Sequence, residues 1–149
     1  MKSFTKILAA IDFSENAETA FDYALTLARK FDAEIVVMHV INEPVDLRGF
    51  YVPHISFEQL EKEIEEGAAR MMKNFCSSRM ADFTNFTTTL VSGIPCDEIV
   101  RTAAEIDASL IVLGTHGRTG LDHILFGSTA ERVVRQAPCP VLTVRQPAS

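Results

Sequence analysis

Leu110-Ile111-Val112-Leu113-Gly114-Thr115-His116-Gly117-Arg118-Thr119-Gly120-Leu121-Asp122-His123-Ile124-Leu125-Phe126-Gly127-Ser128-Thr129-Ala130 is the stretch on which the reading of the whole chain depends. The apolar run from Leu110 to Leu113 stops at Gly114, as a fully buried parallel strand would. Glycines recur at 114, 117 and 120, and a further one, Gly127, is followed at once by Ser128 and Thr129. Beyond it, Ala130, Val133, Val134 and Ala137 fall at helical spacing, so Gly127-Ser128 opens a helix. A glycine-bearing loop that leaves a buried strand and ends on a helix N-terminus suits a phosphate. Missing Cβ atoms let backbone N–H groups approach the oxygens, and the orphan donors of the first helical turn point outward.

Two familiar phosphate motifs do not account for this stretch. Its spacing is not Gly-x-Gly-x-x-Gly, and no Gly-Lys-Ser/Thr follows the last glycine, so the dinucleotide fingerprint and the P-loop are both excluded. The pattern that fits is Gly-x2-Gly-x9-Gly-Ser, occupied by Gly114, Gly117, Gly127 and Ser128. With Thr115-His116 between the first two glycines and Arg118 after them, the stretch resembles the ATP-binding loop of the universal stress protein family. The resemblance extends from Lys6-Ile7-Leu8-Ala9-Ala10-Ile11-Asp12 to Cys139-Pro140-Val141-Leu142-Thr143-Val144, nearly the whole chain. The same residues also admit a purely structural reading. Gly114 and Gly117 can simply turn the chain, and Ser128 with Glu131 can form a capping box that needs no ligand.

Composition bounds the function. With 149 residues the chain reads as a single domain over 1–149, able to bury roughly two-thirds of its unfolded surface. A net charge of −6 argues against nucleic-acid binding through a broad basic face. An anionic ligand would be held by local backbone donors and Arg118 against the field of the whole molecule, so a divalent cation is expected to arrive with the phosphates. The cysteines, Cys76, Cys96 and Cys139, are odd in number and form no CxxC, no signal peptide precedes the first strand, and no apolar run approaches membrane-spanning length. The expectation is a cytoplasmic protein with no membrane insertion.

In chain order, Lys6 to Ile11 reads as the first strand, and Ser14 as the N-cap of a helix through about Phe31. On that helix Ala17, Ala20, Phe21, Ala24, Leu27, Ala28 and Phe31 form one apolar stripe. Glu34 to Ile41 is the second strand, with His39 alone among apolar residues, a pattern that fits a satisfied buried histidine better than a metal ligand. Asn42 to His54 shows no periodicity and reads as a long loop. Ser56-Phe57-Glu58-Gln59 is a capping box, opening a helix to about Met80 whose stripe is Phe57, Leu60, Ile64, Ala68, Met71 and Phe75. Threonine-rich Asn85 to Val91 suggests a less buried edge strand. Pro95 suits the first position of the next helix, which turns Ile99, Ala103 and Ile106 inward. Cys96 in its first turn is open to a lowered pKa or to a packed, inert role. Cys139 to Val144 is the last strand.

Five strands alternating with four helices predict an α/β fold with a doubly wound, Rossmann-like parallel sheet. The resemblance implies the strand order 3-2-1-4-5, which sets strands 1 and 4 side by side at the switch point. It further implies that Asp12 contacts the nucleoside part of ATP and that the backbone at Val40 and Ile41 faces the adenine ring. Gly114, Thr115, Gly117, Gly127, Ser128 and Thr129 would hold phosphates and ribose, with Arg118 adding a charge-assisted contact. Ile11 departs from the family pattern, because some ATP-binding relatives carry a small polar residue there. The function implied is an adenine-nucleotide-binding stress-response regulator taking ATP with Mg2+, with little or no hydrolysis, and a homodimer through the fifth strand. Two alternatives stand beside it: a slow ATPase or nucleotidyl-transferring enzyme, with His116 and His123 as conceivable acid–base groups, and a dimeric interaction module that binds no nucleotide.

Overall fold

The computed structural model describes residues 3–42, 57–80, 82–116 and 126–146. The elements run β1 (Lys6–Ala10), α1 (Glu15–Phe31), β2 (Glu34–Asn42), α2 (Phe57–Arg79), β3 (Phe86–Gly93), α3 (Pro95–Glu105), β4 (Leu110–Gly114), α4 (Ser128–Gln136) and β5 (Val141–Val144). Every strand pairing is parallel and the sheet order is β3-β2-β1-β4-β5, as the resemblance implied. The predicted loop beyond Asn42, and Ser56 of the predicted capping box, lie outside the described residues.

Alternation along the strands builds two cores. Ile7, Ile35 and Val112 face α1 and α2, while Leu8, Val36 and Ile111 face α3 and α4. Ala20, Ala24 and Ala28 let α1 lie close on the sheet, and Phe21 of the same stripe is fully buried, a side chain whose burial contributes about 1.5–3 kcal/mol. Ser14 caps α1 by accepting from Ala17 N–H at 3.1 Å. The helix ends on Asp32 in the left-handed conformation, φ 53°.

Three members of the predicted stripes are not core. Phe31 is 44% exposed and packs edge-on against Phe4, Met71 is 42% exposed, and Val134 is 49% exposed. The buried line of α2 is Ala68, Met72, Phe75 and Cys76, one residue off the predicted line at Met71, because the helix packs with a slightly different rotation. β3 is the half-exposed edge its threonines suggested, and β5 forms the opposite edge. Cys96 is packed, and burial pushes its thiol up rather than down. Cys76 and Cys139 are raised by burial as well.

Candidate functional site

β1 and β4 are neighbours whose following helices cover opposite faces, so a crevice opens at their carboxyl ends. On the β1 side, Ile11 N–H donates to Met38 O at 2.8 Å, and Ile11 O accepts from His39 Nδ1 at the same distance. A carbonyl can only accept, so the proton of this bond sits on Nδ1. The half-buried His39 is thus a satisfied residue, as its setting in the strand suggested. Phe13 then turns the chain with φ 64°, a left-handed conformation that is costly for an aromatic residue. Its ring lies 4.5 Å from the His39 ring. The turn lets the Asp12 carboxylate accept from both Ser14 N–H, at 3.0 Å, and Ser14 Oγ. Asp12 is therefore held at the crevice wall by the same serine that caps α1.

On the β4 side the organising residue is Asn16, which sequence reasoning passed over. It is 3% exposed in the first turn of α1. Its Nδ2 donates to Val144 O at 3.0 Å, and its Oδ1 accepts from His116 N–H at 2.7 Å. Thr115 N–H reaches the same Val144 carbonyl at 3.1 Å. Asn16 thereby ties the exit of β4 to the end of β5. The space beside Gly114 belongs to it too: a Cβ at position 114 would lie 2.5 Å from Asn16 Oδ1. Any side chain there would displace the asparagine, so Gly114 has a steric reason independent of any ligand.

The chain returns to this point at Gly127, whose N–H donates to Thr115 O at 2.6 Å. Gly127, not Ser128, is the N-cap of α4, and it makes no side-chain capping bond. The Ser128–Glu131 capping box of the purely structural reading is therefore absent, because Ser128 sits one position too far into the helix. What remains is a helix N-terminus whose first-turn donors receive no acceptor from the cap, with the positive end of the helix dipole directed outward. Gly127 has φ −68°, open to any residue, so backbone conformation does not demand a glycine there.

Between these walls lies a cavity of about 630 Å3, within the usual range for small-molecule sites. Asp12, Val40, Ile41, Gly114, Thr115, Gly127, Ser128 and Thr129 all line it. Gly117 and Arg118 lie outside the described residues, as does His123. His116 also lines the cavity, with its Nδ1 3.0 Å from Thr115 Oγ1. One set of lining residues was not foreseen at all: Ile64, Gly67, Ala68 and Met71 of α2. The exposed Met71 is the residue the stripe analysis had assigned to the core.

The model of the universal stress protein family matches residues 3–145. This chain belongs to that family. Universal stress protein MJ0531 from Methanocaldococcus jannaschii is 38% identical, over 97% of this chain and 84% of its own length. Among solved structures, MJ0577 from the same organism superposes with a TM-score of 0.85 at 30% identity, covering 99% of this chain and all of the other. A universal stress protein solved in complex with cAMP shares the fold, with a TM-score of 0.65 at 22% identity over 96% of this chain and 98% of that one. Among the described residues, no helix is long and apolar enough to cross a membrane.

Proposed function

We propose that this universal stress protein is a single nucleotide-binding domain that holds ATP, with Mg2+, in the crevice between β1 and β4. The observation that carries the reading is the N-terminus of α4, left without a side-chain cap by Gly127 and facing the same cavity as Asp12. Backbone donors at Ser128 and Thr129 suit phosphate oxygens, the Asp12 carboxylate suits ribose hydroxyls, and the apolar end near Val40 and Ile41 suits a base. The cation would travel with the phosphates and offset their charge against a chain of net −6. Gly117 and Arg118 belong to the proposed site by their place in the motif.

The protein acts as a cytoplasmic stress-response regulator rather than as a catalyst, with turnover well below the median enzyme rate of about 10 per second. It pairs with a second copy through β5, an edge strand that would otherwise present unpaired amides and carbonyls. Micromolar affinity needs about 8 kcal/mol. Several hydrogen bonds to charged oxygens, at about 1.5–3 kcal/mol each, together with burial of the base supply that after association costs.

Mass spectrometry of ligand released from freshly purified protein, followed by calorimetric titration with Mg-ATP, Mg-ADP and AMP, tests the reading. Protein that carries no nucleotide and takes up none at about 1 mM, equivalent to only about 4 kcal/mol of binding, overturns it. Sedimentation at tens of micromolar, a range chosen to expose even weak homodimers, checks the pairing.

A further inference from the structure

Gly67 sits inside α2, where glycine is the poorest helix former apart from proline. Two glycines at strand ends have a structural reason for their missing side chain. Gly93 has one, a φ of 154°, and Gly114 has another, the Asn16 side chain filling its Cβ position. Gly67 has neither. It lies within a regular helix with no positive φ, and among the described residues a Cβ built on it would meet only the end of the Arg70 side chain, at an ordinary 3.8 Å. Among the described residues, nothing uses the missing side chain. Gly67 lines the cavity together with Ile64, Ala68 and Met71 of the same helix. Ile64, Ala68 and Met71 make this wall apolar, whereas an anionic group would dock at the α4 N-terminus.

We infer that Gly67 is a specificity-determining notch in α2 that admits the edge of the ligand's planar base, the purine ring of a nucleotide. This rests on the nucleotide reading above and adds to it a wall contributed by α2. The glycine weakens the helix locally and keeps the cavity long enough for base and phosphates together. Stability and binding therefore pull in opposite directions at this position.

Titration calorimetry with Mg-ATP and thermal melting by circular dichroism on wild type, Gly67→Ala, Gly67→Leu and the control Ala69→Leu test the inference. Ala69 is exposed on the same helix and outside this cavity. Gly67→Ala is expected to melt about 3 °C higher, from helix propensity alone, and to bind ATP several-fold more weakly. Gly67→Leu is expected to bind at least tenfold more weakly, and Ala69→Leu to bind as wild type does. Wild-type affinity in Gly67→Leu overturns the inference, as does an equal loss in Ala69→Leu. Should Gly67→Leu fail to fold, unchanged affinity in Gly67→Ala overturns it. A wild type that binds no adenine nucleotide overturns the nucleotide reading, and with it this one, whereas wild-type binding with indifferent Gly67 variants sinks the notch alone.

Discussion

Two helices start at the same end of the sheet, one on each side of the crevice, and their N-termini are finished differently. α1 is closed by its own sequence: Ser14 caps it, and Asp12 in turn accepts from Ser14. α4 begins at Gly127 with no side-chain cap. Both present a positive dipole end, yet only one leaves its first-turn donors for something else. On the proposed reading, the difference teaches that a helix N-terminus can serve as an anion site when the chain declines to satisfy it locally. Asp12 illustrates the converse, being an acceptor that the capped turn holds ready at the opposite wall.

Replacing both motif glycines, Gly117 and Gly127, by valine removes the open end most completely. ATP affinity is expected to fall more than a hundredfold, about 2.7 kcal/mol, as branched side chains block the approach to the backbone amides. Circular dichroism should still report a folded chain and sedimentation an unchanged assembly. Retained affinity would make the loop a mere connection.

Asn16→Ala attacks the support of the open side. It removes the Asn16 acceptor of His116 N–H and, among the described residues, one of two donors to Val144 O, so urea denaturation should show a loss of about 1–2 kcal/mol. ATP affinity should fall too, since Gly114 and Thr115 lose their anchor. A variant as stable as wild type would show that β4 and β5 hold the loop unaided.

Gly127→Asp converts the open end into a closed one. A carboxylate at the cap accepts from the first turn and repels phosphate. Affinity for Mg-ATP should drop at least tenfold, about 1.4 kcal/mol, while stability rises by a few tenths of a kcal/mol. Tighter ATP binding would contradict the comparison directly. Ser14→Ala makes the reverse change on α1. It should cost about 1 kcal/mol of stability and alter ATP affinity less than any variant above, because α1 is not the phosphate end. An affinity loss larger than that of Gly127→Asp would mean the Asp12–Ser14 turn dominates binding.

Much of this was legible along the chain. Apolar runs at Ile7, Ile35 and Leu110, separated by helical stripes, announce buried parallel strands and their crossovers, because burial on both faces imposes a run and burial on one face imposes a 3.6-residue period. Ser14 as a cap and Pro95 at a helix start depend only on neighbouring residues, so they too were readable. Exposure of Phe31, Met71 and Val134 was not, since a stripe gives the period of a helix but not its rotation against the sheet.

The candidate site divides the same way. Local sequence determined that glycines, Ser128 and Thr129 follow one buried strand and that an aspartate follows another. Strand order was not local information, and it came from resemblance to a family before the sheet showed it. Only the folded chain decided that Asn16, an unremarkable polar residue beside an alanine stripe, would sit within reach of His116 and Val144, 100 and 128 residues away. It likewise decided that Gly127 rather than Ser128 would occupy the cap, and that one face of α2 would wall the crevice. The physical reason is one of range. Period, capping and turn chemistry act over a few residues, whereas hydrogen bonds across the sheet and the shape of a cavity depend on how whole elements pack.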